Sequence, residues 1–183
     1  MQHPSGPARV VTPVLATERL TLRPYTPADE DSFVALFQDP EVSRFVGDGP
    51  SGESEDRALF GRVFTAVYAT GRFLVWAVER DGRVVGHAEL KPSPSDDVDG
   101  WELVYVLAQT EWGQGLGREL AGAITRYGCE ALGLDRLYAT VDAGNARSLR
   151  LLARLGYREV GTRVEEATSV HILVYEPGVA TRE

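Results

Sequence analysis

One segment constrains this chain more than any other: an apolar run that leads through a short connection into a glycine-rich turn and an amphipathic helix. Residues 101–120 read WELVYVLAQTEWGQGLGREL, with glycines at 113, 115 and 117. The start of a helix carries backbone N–H groups without internal partners and the positive end of the helix dipole. Glycines let the backbone approach a phosphate without a side chain in the way. The segment therefore predicts a strand, an anion-binding turn and a helix.

Two phosphate-binding motifs do not match this turn. The dinucleotide fingerprint needs G-x-G-x-x-G and an acidic residue about 20 positions later, at the end of a strand. Here the spacing is G-x-G-x-G, and no acidic residue is so placed. The Walker motif needs Gly-Lys followed by Ser or Thr, which is absent. Taken alone, the turn could equally be a glycine-rich connector, so its interpretation depends on the rest of the chain.

Apolar periodicity predicts both strands and helices along the chain. Asp81-Gly82, between two apolar runs, is typical of a tight hairpin, and Thr26-Pro27 is typical of a helix start. Helices alternate with strands in the second half, whereas hairpins dominate the middle and the end. This order predicts an α/β fold with a mixed sheet and helices on its faces. The predicted strands are residues 19–23, 73–79, 84–90, 101–107, 136–141, 157–165 and 170–176, and the predicted helices begin at Thr26 or span 54–69, 115–132 and 145–155.

Length and composition limit the classes of function. A chain of 183 residues is typical of one domain, which we expect at residues 16–177, between a flexible lead-in (1–15) and a tail (178–183). A net charge of −8 without a basic stripe argues against a nucleic-acid partner. No apolar run approaches the roughly 18 residues of a membrane helix, and residues 1–8 lack the apolar core of a signal peptide. The single cysteine, Cys129, allows no internal disulfide, so we expect a cytoplasmic protein without a membrane partner.

Motifs in the second half of the chain resemble one enzyme superfamily in both order and spacing. WGQGLG at 112–117 is followed by an apolar helix, then by NARS at 145–148 and LARLGY at 152–157. This pattern is similar to that of the GNAT N-acetyltransferases. The segments TERLTLRPYTPAD (17–29) and DPEVSRFV (39–46) further resemble the RimJ/RimL-type branch, which acetylates the N-termini of ribosomal proteins, together with relatives that act on other amines.

The resemblance covers residues 15–176 and implies a fold. The expected sheet is mixed and mostly antiparallel, is flanked by helices, and splays open between its fourth and fifth strands. In this chain those strands are residues 101–107 and 136–141. Acetyl-CoA is the cosubstrate that the resemblance implies, bound in the split.

The resemblance also implies which residues bind the cosubstrate. Asn145 matches an Asn that contacts the pantetheine arm or orders the active site, although an Asn there could equally cap the following helix. A backbone N–H on the splayed strand, at Val106 or Leu107, would stabilise the oxyanion that develops during transfer. Trp112 stands where the wider superfamily has Arg or Gln, and a Trp is typical of this branch. The residues of the pyrophosphate loop are Trp112, Gly113, Gln114, Gly115, Leu116, Gly117 and Arg118.

Acetyl transfer to an amine needs a base for the ammonium group and an acid for the leaving thiolate. Glu102 is the candidate base, because it lies early in the strand before the glycine turn and the branch often has a Glu there; otherwise it is a surface glutamate at a strand start. Leu152 stands where the superfamily often has a catalytic Tyr. Ser148 is the branch's alternative acid, unless it is an ordinary serine on the helix. Tyr105 and Tyr157 could also donate a proton, although such tyrosines more often belong to the core.

The sequence therefore predicts an enzyme that moves an acetyl group from acetyl-CoA to a primary amine, on a peptide N-terminus or a small molecule. The alternative is an acyl-CoA-binding sensor or interaction module with weak catalysis, which the missing Tyr leaves open. His87 and Glu89 are candidates for lining the acceptor site, and no cluster of residues indicates a metal. Such families often form homodimers. The acidic residues that could attract a cationic acceptor are Asp96, Asp97, Asp99, Glu165 and Glu166.

Overall fold

One mixed sheet forms the frame of the protein in the computed structural model, which describes residues 9–46, 49–95, 98–165 and 168–178. Its strands are β1 (Leu15–Ala16), β2 (Thr21–Arg23), β3 (Leu74–Arg80), β4 (Arg83–Pro92), β5 (Trp101–Leu107), β6 (Leu137–Asp142), β7 (Arg158–Glu165) and β8 (Thr168–Tyr175). They lie in the order β1-β2-β3-β4-β5-β6-β8-β7. Neighbouring strands are antiparallel except β5 and β6, which are parallel. The predicted mixed, mostly antiparallel sheet is confirmed.

Helices cover both faces of this sheet. They are α1 (Glu30–Gln38), α2 (Pro40–Ser43), α3 (Glu53–Arg62), α4 (Leu116–Glu130) and α5 (Ala146–Arg154). A turn of 3-10 helix at Pro27–Asp29 leads into α1, and α3 continues as a turn of π-helix at Val63–Tyr68. Periodicity does not predict α2, because four residues are too few to show it. Among the described residues, no helix combines the length and apolar character needed to cross a bilayer.

Alternation along the strands directs side chains into two separate cores. On one side of the sheet, here called the α4 face, Leu103 packs with Leu120 of α4 and Leu152 of α5. On the opposite side, the α1 face, Val106 packs with Phe33 of α1 and other aromatic side chains of the helices. Each fully buried Leu or Phe contributes about 1.5–3 kcal/mol. Both helix layers are therefore held on the sheet mainly by the hydrophobic effect.

The two parallel strands, β5 and β6, separate soon after they begin. In these fully described strands, Trp101 pairs with Leu137 and Glu102 pairs with Tyr138, whereas β5 has seven residues. Beyond Glu102 the edge of β5 that faces β6 is therefore free of a strand partner. The predicted splay lies at this point; the additional strand β1 makes its flanking strands the fifth and sixth rather than the fourth and fifth.

Residues 9–15, the described part of the lead-in expected for residues 1–15, pack against the sheet. The indole Nε1 of Trp76 donates to the carbonyl oxygen of Pro13 at 2.8 Å, and Val10 is buried. The pattern of the segment does not reveal this docking, because its partners lie on β3, some sixty residues later along the chain. The expected tail and lead-in also contain stretches outside the described residues, which are 1–8 and 179–183.

Candidate active site

The glycine turn has an unusual backbone at two of its three glycines. Gly113 and Gly115 adopt positive φ angles of 78° and 80°, a left-handed conformation that other residues rarely adopt. A Cβ placed on Gly113 would meet nothing within 4 Å, so the turn leaves open space beside it. Gly117 is different, because a Cβ there would lie 2.9 Å from Cδ1 of Leu151 on α5. The glycine pattern suggests phosphate approach for all three residues, and at Gly117 the absence of a Cβ also lets α4 pack closely on α5.

Donor groups at the start of α4 fit an anionic ligand. The first i→i−4 bond of the helix runs from Glu119 N–H to Gly115 O at 3.2 Å. The N–H groups of Leu116, Gly117 and Arg118 precede this bond and have no partner of that kind in the helix. They point from the positive end of the helix dipole, beside the open backbone at Gly113. The turn therefore has the form of a cradle that a pyrophosphate would fit.

Trp112 connects this cradle to both sides of the split. Its indole Nε1 donates to the carbonyl oxygen of Leu107, at the end of β5, at 2.8 Å. The guanidinium of Arg147, in the first turn of α5, lies 4.4 Å from the centre of the Trp112 ring, within range of a cation–π interaction. Sequence analysis did not identify Arg147, because an Arg on an exposed helix turn gives no signal of its contact with a distant Trp.

Strand register decides which N–H groups of β5 face the split. Ala108 N–H donates to Val85 O at 2.8 Å, and Val106 is paired with His87 two residues along the same ladder. In an antiparallel ladder, alternate residues direct both N–H and C=O to the same neighbour. The backbone N–H of Val106 therefore points towards β4. Its carbonyl oxygen also points towards β4, because a Cβ placed on Gly86 of that strand would collide with this oxygen.

The register therefore decides which of the two predicted N–H groups could donate to an oxyanion in the split. Of the two candidates, Val106 and Leu107, only Leu107 directs its N–H away from β4 and towards the free edge. Tyr105, two residues earlier, has the same orientation and joins it as a donor that sequence analysis did not name. Val106 instead directs its side chain into the core on the α1 face.

Glu102 lies at the point where β5 and β6 separate. It is 5% exposed and, by alternation along the strand, shares the α1 face with Val104 and Val106. Its Oε1 accepts from the backbone N–H of Thr140 at 3.2 Å and also from the Thr140 hydroxyl. Its Oε2 accepts from the Ser93 hydroxyl at 2.9 Å. The side chain therefore ties β5 to β6, a contact that the spacing of the sequence does not indicate.

Ser148 and Tyr105 form a hydroxyl pair on the α4 face of the split. Their oxygens, Tyr105 Oη and Ser148 Oγ, are 2.6 Å apart. Burial raises the pKa of Tyr105 to about 12, although its bond to Ser148 opposes the shift, so the phenol stays protonated at neutral pH. The pair connects β5, beyond the point where it separates from β6, to the first turn of α5, which Asn145 caps.

The other predicted residues near α5 have structural contacts. Asn145 Oδ1 accepts from Ser148 N–H at 3.1 Å, which is the helix-capping role that the sequence left open beside a cofactor contact. Leu152 is fully buried. The hydroxyl of Tyr157 is buried 2.8 Å from Thr125 Oγ1, so Tyr157 belongs to the core rather than to the split.

Three polar side chains, of which His87 is buried and Glu89 and Lys91 are partly exposed, follow one another along β4 on the α1 face. Glu89 accepts from His87 Nε2 at 3.1 Å and lies 2.5 Å from the ammonium of Lys91. Burial alone would raise the pKa of Glu89, but the His87 hydrogen bond and the Lys91 charge outweigh it and lower the pKa to about 2. His87 Nδ1 in turn lies 3.1 Å from the Tyr25 hydroxyl. Through the strand register, Glu89 is opposite Val104 of β5, next to the split.

Two further expectations concern ions and charge. Within the described ranges, no group of three or more His, Cys, Asp and Glu side chains could hold a metal ion. Asp99 is exposed, as an acidic residue that attracts a cation would be. Outside the described residues lie Asp96, Asp97 and Glu166, together with the side chain of Glu165.

An open mixed sheet, with a glycine-rich helix start beyond its splayed strand, is the arrangement of an acetyltransferase. The model of the family described as an acetyltransferase (GNAT) domain matches residues 19–158, and the chain belongs to this family. The resemblance to GNAT enzymes is thereby confirmed, and the protein is an acetyltransferase. The GNAT fold implies the use of acetyl-CoA.

Individual relatives agree with this assignment. The chain is 30% identical over 155 residues to the uncharacterized N-acetyltransferase YoaA of Bacillus subtilis (strain 168). This match covers 81% of this chain and 85% of YoaA. A GNAT-family acetyltransferase from Bacillus anthracis is similar in structure, with a TM-score of 0.76, 20% identity, and coverage of 89% of this chain and 98% of that one. Mycobacterium smegmatis RimJ in complex with CoA-disulfide has a TM-score of 0.75 at 18% identity, covering 90% and 87%. At these identities the two structures establish the fold alone.

Proposed function

We propose that this acetyltransferase moves the acetyl group of acetyl-CoA to a primary amine, by direct attack of the amine on the thioester. The acceptor is a peptide N-terminus or a small amine, as in the RimJ/RimL-type branch that the sequence resembles. One observation carries the proposal: the unpaired edge of β5 ends next to the glycine cradle at the start of α4. A ligand that is long, amide-rich and anionic at one end matches that combination.

The chain offers a donor for each part of such a ligand. N–H groups at the start of α4 bind the pyrophosphate, and Trp112 holds the loop against the end of β5. The free N–H groups of Tyr105 and Leu107 bind amides of the pantetheine arm or stabilise negative charge on the thioester oxygen. Bound acetyl-CoA supplies the activated acyl group. Asn145 keeps the first turn of α5 in place beside the arm.

Glu102 is the proposed base. A carboxylate offers roughly four lone-pair positions, and Ser93 and Thr140 occupy three of those on Glu102. The remaining position, on Oε2, can accept a proton from the substrate's ammonium group, directly or through a water, which leaves the neutral amine to attack the thioester. The same hydrogen bonds hold the carboxylate in one orientation, which favours a proton transfer over a fixed short distance.

The hydroxyl pair of Tyr105 and Ser148 is the proposed acid. Because the phenol of Tyr105 keeps its proton, it can donate to Ser148 Oγ while the Ser148 hydroxyl donates to the leaving sulfur. This arrangement replaces the tyrosine that many superfamily members have where this chain has Leu152. The acceptor is proposed to enter from the α1 face, where Glu89 and Glu102 provide negative charge for an ammonium group.

A coupled assay tests the function. Free thiol released from acetyl-CoA is measured against a panel of N-terminal peptides, polyamines and amino acids, while calorimetry measures CoA binding. We expect CoA binding and turnover with one class of acceptor. CoA binding without turnover on any amine would favour the sensor alternative, and absence of CoA binding would contradict the proposal. Light scattering on the same samples tests the homodimer that the resemblance favours.

A further inference from the structure

An arginine that is distant in sequence from the glycine turn contacts the backbone of that turn. Arg19, between β1 and β2, donates from Nη1 to the carbonyl oxygen of Gln114 at 2.8 Å. Its Nε and Nη2 lie 2.8 Å and 2.7 Å from Oε2 of Glu119, and its own backbone N–H donates to Glu119 Oε1 at 2.7 Å. Two segments about a hundred residues apart are thus joined through one guanidinium.

The bond to Gln114 O has a consequence for the next residue. In a trans peptide the carbonyl and the following N–H point in opposite directions. Because the Gln114 carbonyl points at Arg19, the N–H of Gly115 must point away from Arg19. Gly115 has a positive φ, so its peptide could turn over at little cost if this bond were absent. Arg19 therefore fixes the direction of an N–H group in the cradle.

Arg19 also forms an ion pair with the carboxylate of Glu119. That carboxylate lies in the first turn of α4, where a negative charge stabilises the helix but repels a phosphate at the same end. Burial would raise the pKa of Glu119, but hydrogen bonds from Thr17 and Arg19 outweigh it and keep the pKa below its usual range. Glu119 is therefore ionised at neutral pH, and Arg19 is the cation that pairs with its charge.

Arg80, at the end of β3, holds the other side of the loop. It donates from Nη1 to Glu111 Oε2 at 2.6 Å and to Gln114 Oε1 at 2.9 Å. Its contacts are to side chains, whereas Arg19 contacts the backbone of the turn. Arg19 is thus the contact that acts on the peptide plane itself.

We propose that Arg19 is a positioning residue for the pyrophosphate loop: by orienting the peptide between Gln114 and Gly115 and pairing with Glu119, it sets the affinity for the phosphate-bearing half of acetyl-CoA without touching the cosubstrate. This inference rests on the proposed use of acetyl-CoA. It separates Arg19 from a purely structural ion pair, which would affect all parts of the ligand alike.

Calorimetry with CoA is the first test. Arg19→Ala is expected to weaken CoA binding about tenfold or more, the typical effect of losing a charge-assisted hydrogen bond that orders a donor. Arg19→Lys should weaken it to a similar degree, because an ammonium cannot span Gln114 O and both oxygens of Glu119. Arg57→Ala is the matched control: Arg57 pairs with Glu30, Asp31 and Glu53 on α1 and α3, and its loss should leave CoA binding unchanged.

A truncated donor gives the second test. S-acetylpantetheine lacks the phosphates and the adenosine, so Arg19→Lys should transfer its acetyl group with the same kcat/KM as the parent enzyme, within about twofold, while losing efficiency with acetyl-CoA. Unchanged CoA affinity in both Arg19 variants would overturn the inference, as would equal losses with both donors. If the parent enzyme binds CoA but acetylates no amine, the proposed function fails while the calorimetric comparison still decides the role of Arg19.

Discussion

At the scale of single residues, Glu102 combines two properties that usually belong to different side chains. Its buried side chain connects β5 to β6 by hydrogen bonds, and it also belongs to the last residue pair before the two strands separate. The sequence alone suggests the residue as a candidate base, because a Glu before the glycine turn fits the branch. It does not indicate these hydrogen bonds, because Thr140 and Ser93 come close only through the fold. Separating the two roles needs variants that remove one and keep the other.

Glu102→Gln removes the charge but keeps the shape and an acceptor oxygen. If Glu102 is the base, kcat should fall by about 10²–10⁴, the usual contribution of general-base catalysis, with CoA affinity unchanged. Thr140→Val is the matched control, since it removes a hydroxyl donor to the same carboxylate and leaves the charge. Similar kcat losses in both variants, accompanied by similar losses of stability, would show that Glu102 acts only as a tie between the strands.

Tyr105→Phe tests the proposed acid at the same scale. The variant should lower kcat by about 10–100-fold, at or below the lower end of general-acid effects. The reason is that Ser148 loses the Tyr105 hydroxyl that is proposed to donate a proton to it. In the parent enzyme the raised pKa, about 12, keeps the phenol protonated, so ionisation of Tyr105 should cause no fall in kcat between about pH 7 and 10. Tyr157→Phe is the control, a buried tyrosine bonded to Thr125 in the core. Equal kcat losses in the two variants would remove Tyr105 from the mechanism.

At the scale of elements, the strands were the most predictable part. Alternating apolar residues and the Asp81-Gly82 turn predict β3, β4 and β5 closely, because each pattern is local. The elements that the patterns missed are the shortest ones, β1 with two residues and α2 with four, because so few residues show no periodicity. Gly117 shows another limit: its place in the glycine pattern suggests phosphate binding, but the contact with Leu151 is visible only when α4 and α5 are placed together.

The packing of α4 on α5 leads to a prediction for Gly117→Ala. A Cβ 2.9 Å from Leu151 Cδ1 forces the helices or the side chain to shift, so the variant should lose about 1–3 kcal/mol of unfolding free energy, typical of overpacking. Urea denaturation measures this loss. Combining it with Leu151→Ala should recover part of the loss, as a double-mutant cycle would show. Additive losses in the double variant would mean that Leu151 is not the obstacle.

At the scale of the whole molecule, the sheet separates two helix layers, and the proposed function places the acceptor on the α1 face. The glycine turn could be predicted because its residues are contiguous in sequence. The residues that hold it, Arg19 and Arg80, and the Arg147 that stacks on Trp112, come from three other parts of the chain. Arginines on polar surfaces are common, so their spacing carries no signal. What the sequence could not supply was thus the set of long-range contacts that orient the site.

Charge buried on the α1 face makes the stability of the whole molecule depend on pH. Glu89 has its pKa lowered from 4.5 to about 2, with its side chain 19% exposed, between His87 and Lys91. In the unfolded chain the carboxyl has a pKa of 4.5 and takes up its proton around that pH, whereas in the folded protein its pKa is about 2 and it stays ionised until the pH approaches that value. The unfolded state therefore binds more protons in this window, so this contribution is complete above about pH 5 and is lost as the pH falls towards 2. Its size is of the order of 3 kcal/mol.

Glu89→Gln should accordingly cost stability at pH 7 and cost progressively less as the pH falls. Unfolding free energies from urea titrations of parent and variant, at pH 7, 4 and 3, measure the difference directly. Glu159→Gln is the control, because Glu159 is half-exposed beside His171 and its loss should change little at any of these pH values. A Glu89→Gln difference that stays constant between pH 7 and 3 would mean that the pKa of Glu89 is the same in the folded and unfolded chain, which would contradict the prediction. A cost that grows as the pH falls would mean that the folded carboxyl is protonated at neutral pH, and the negative charge proposed for the acceptor side would then rest on Glu102 alone.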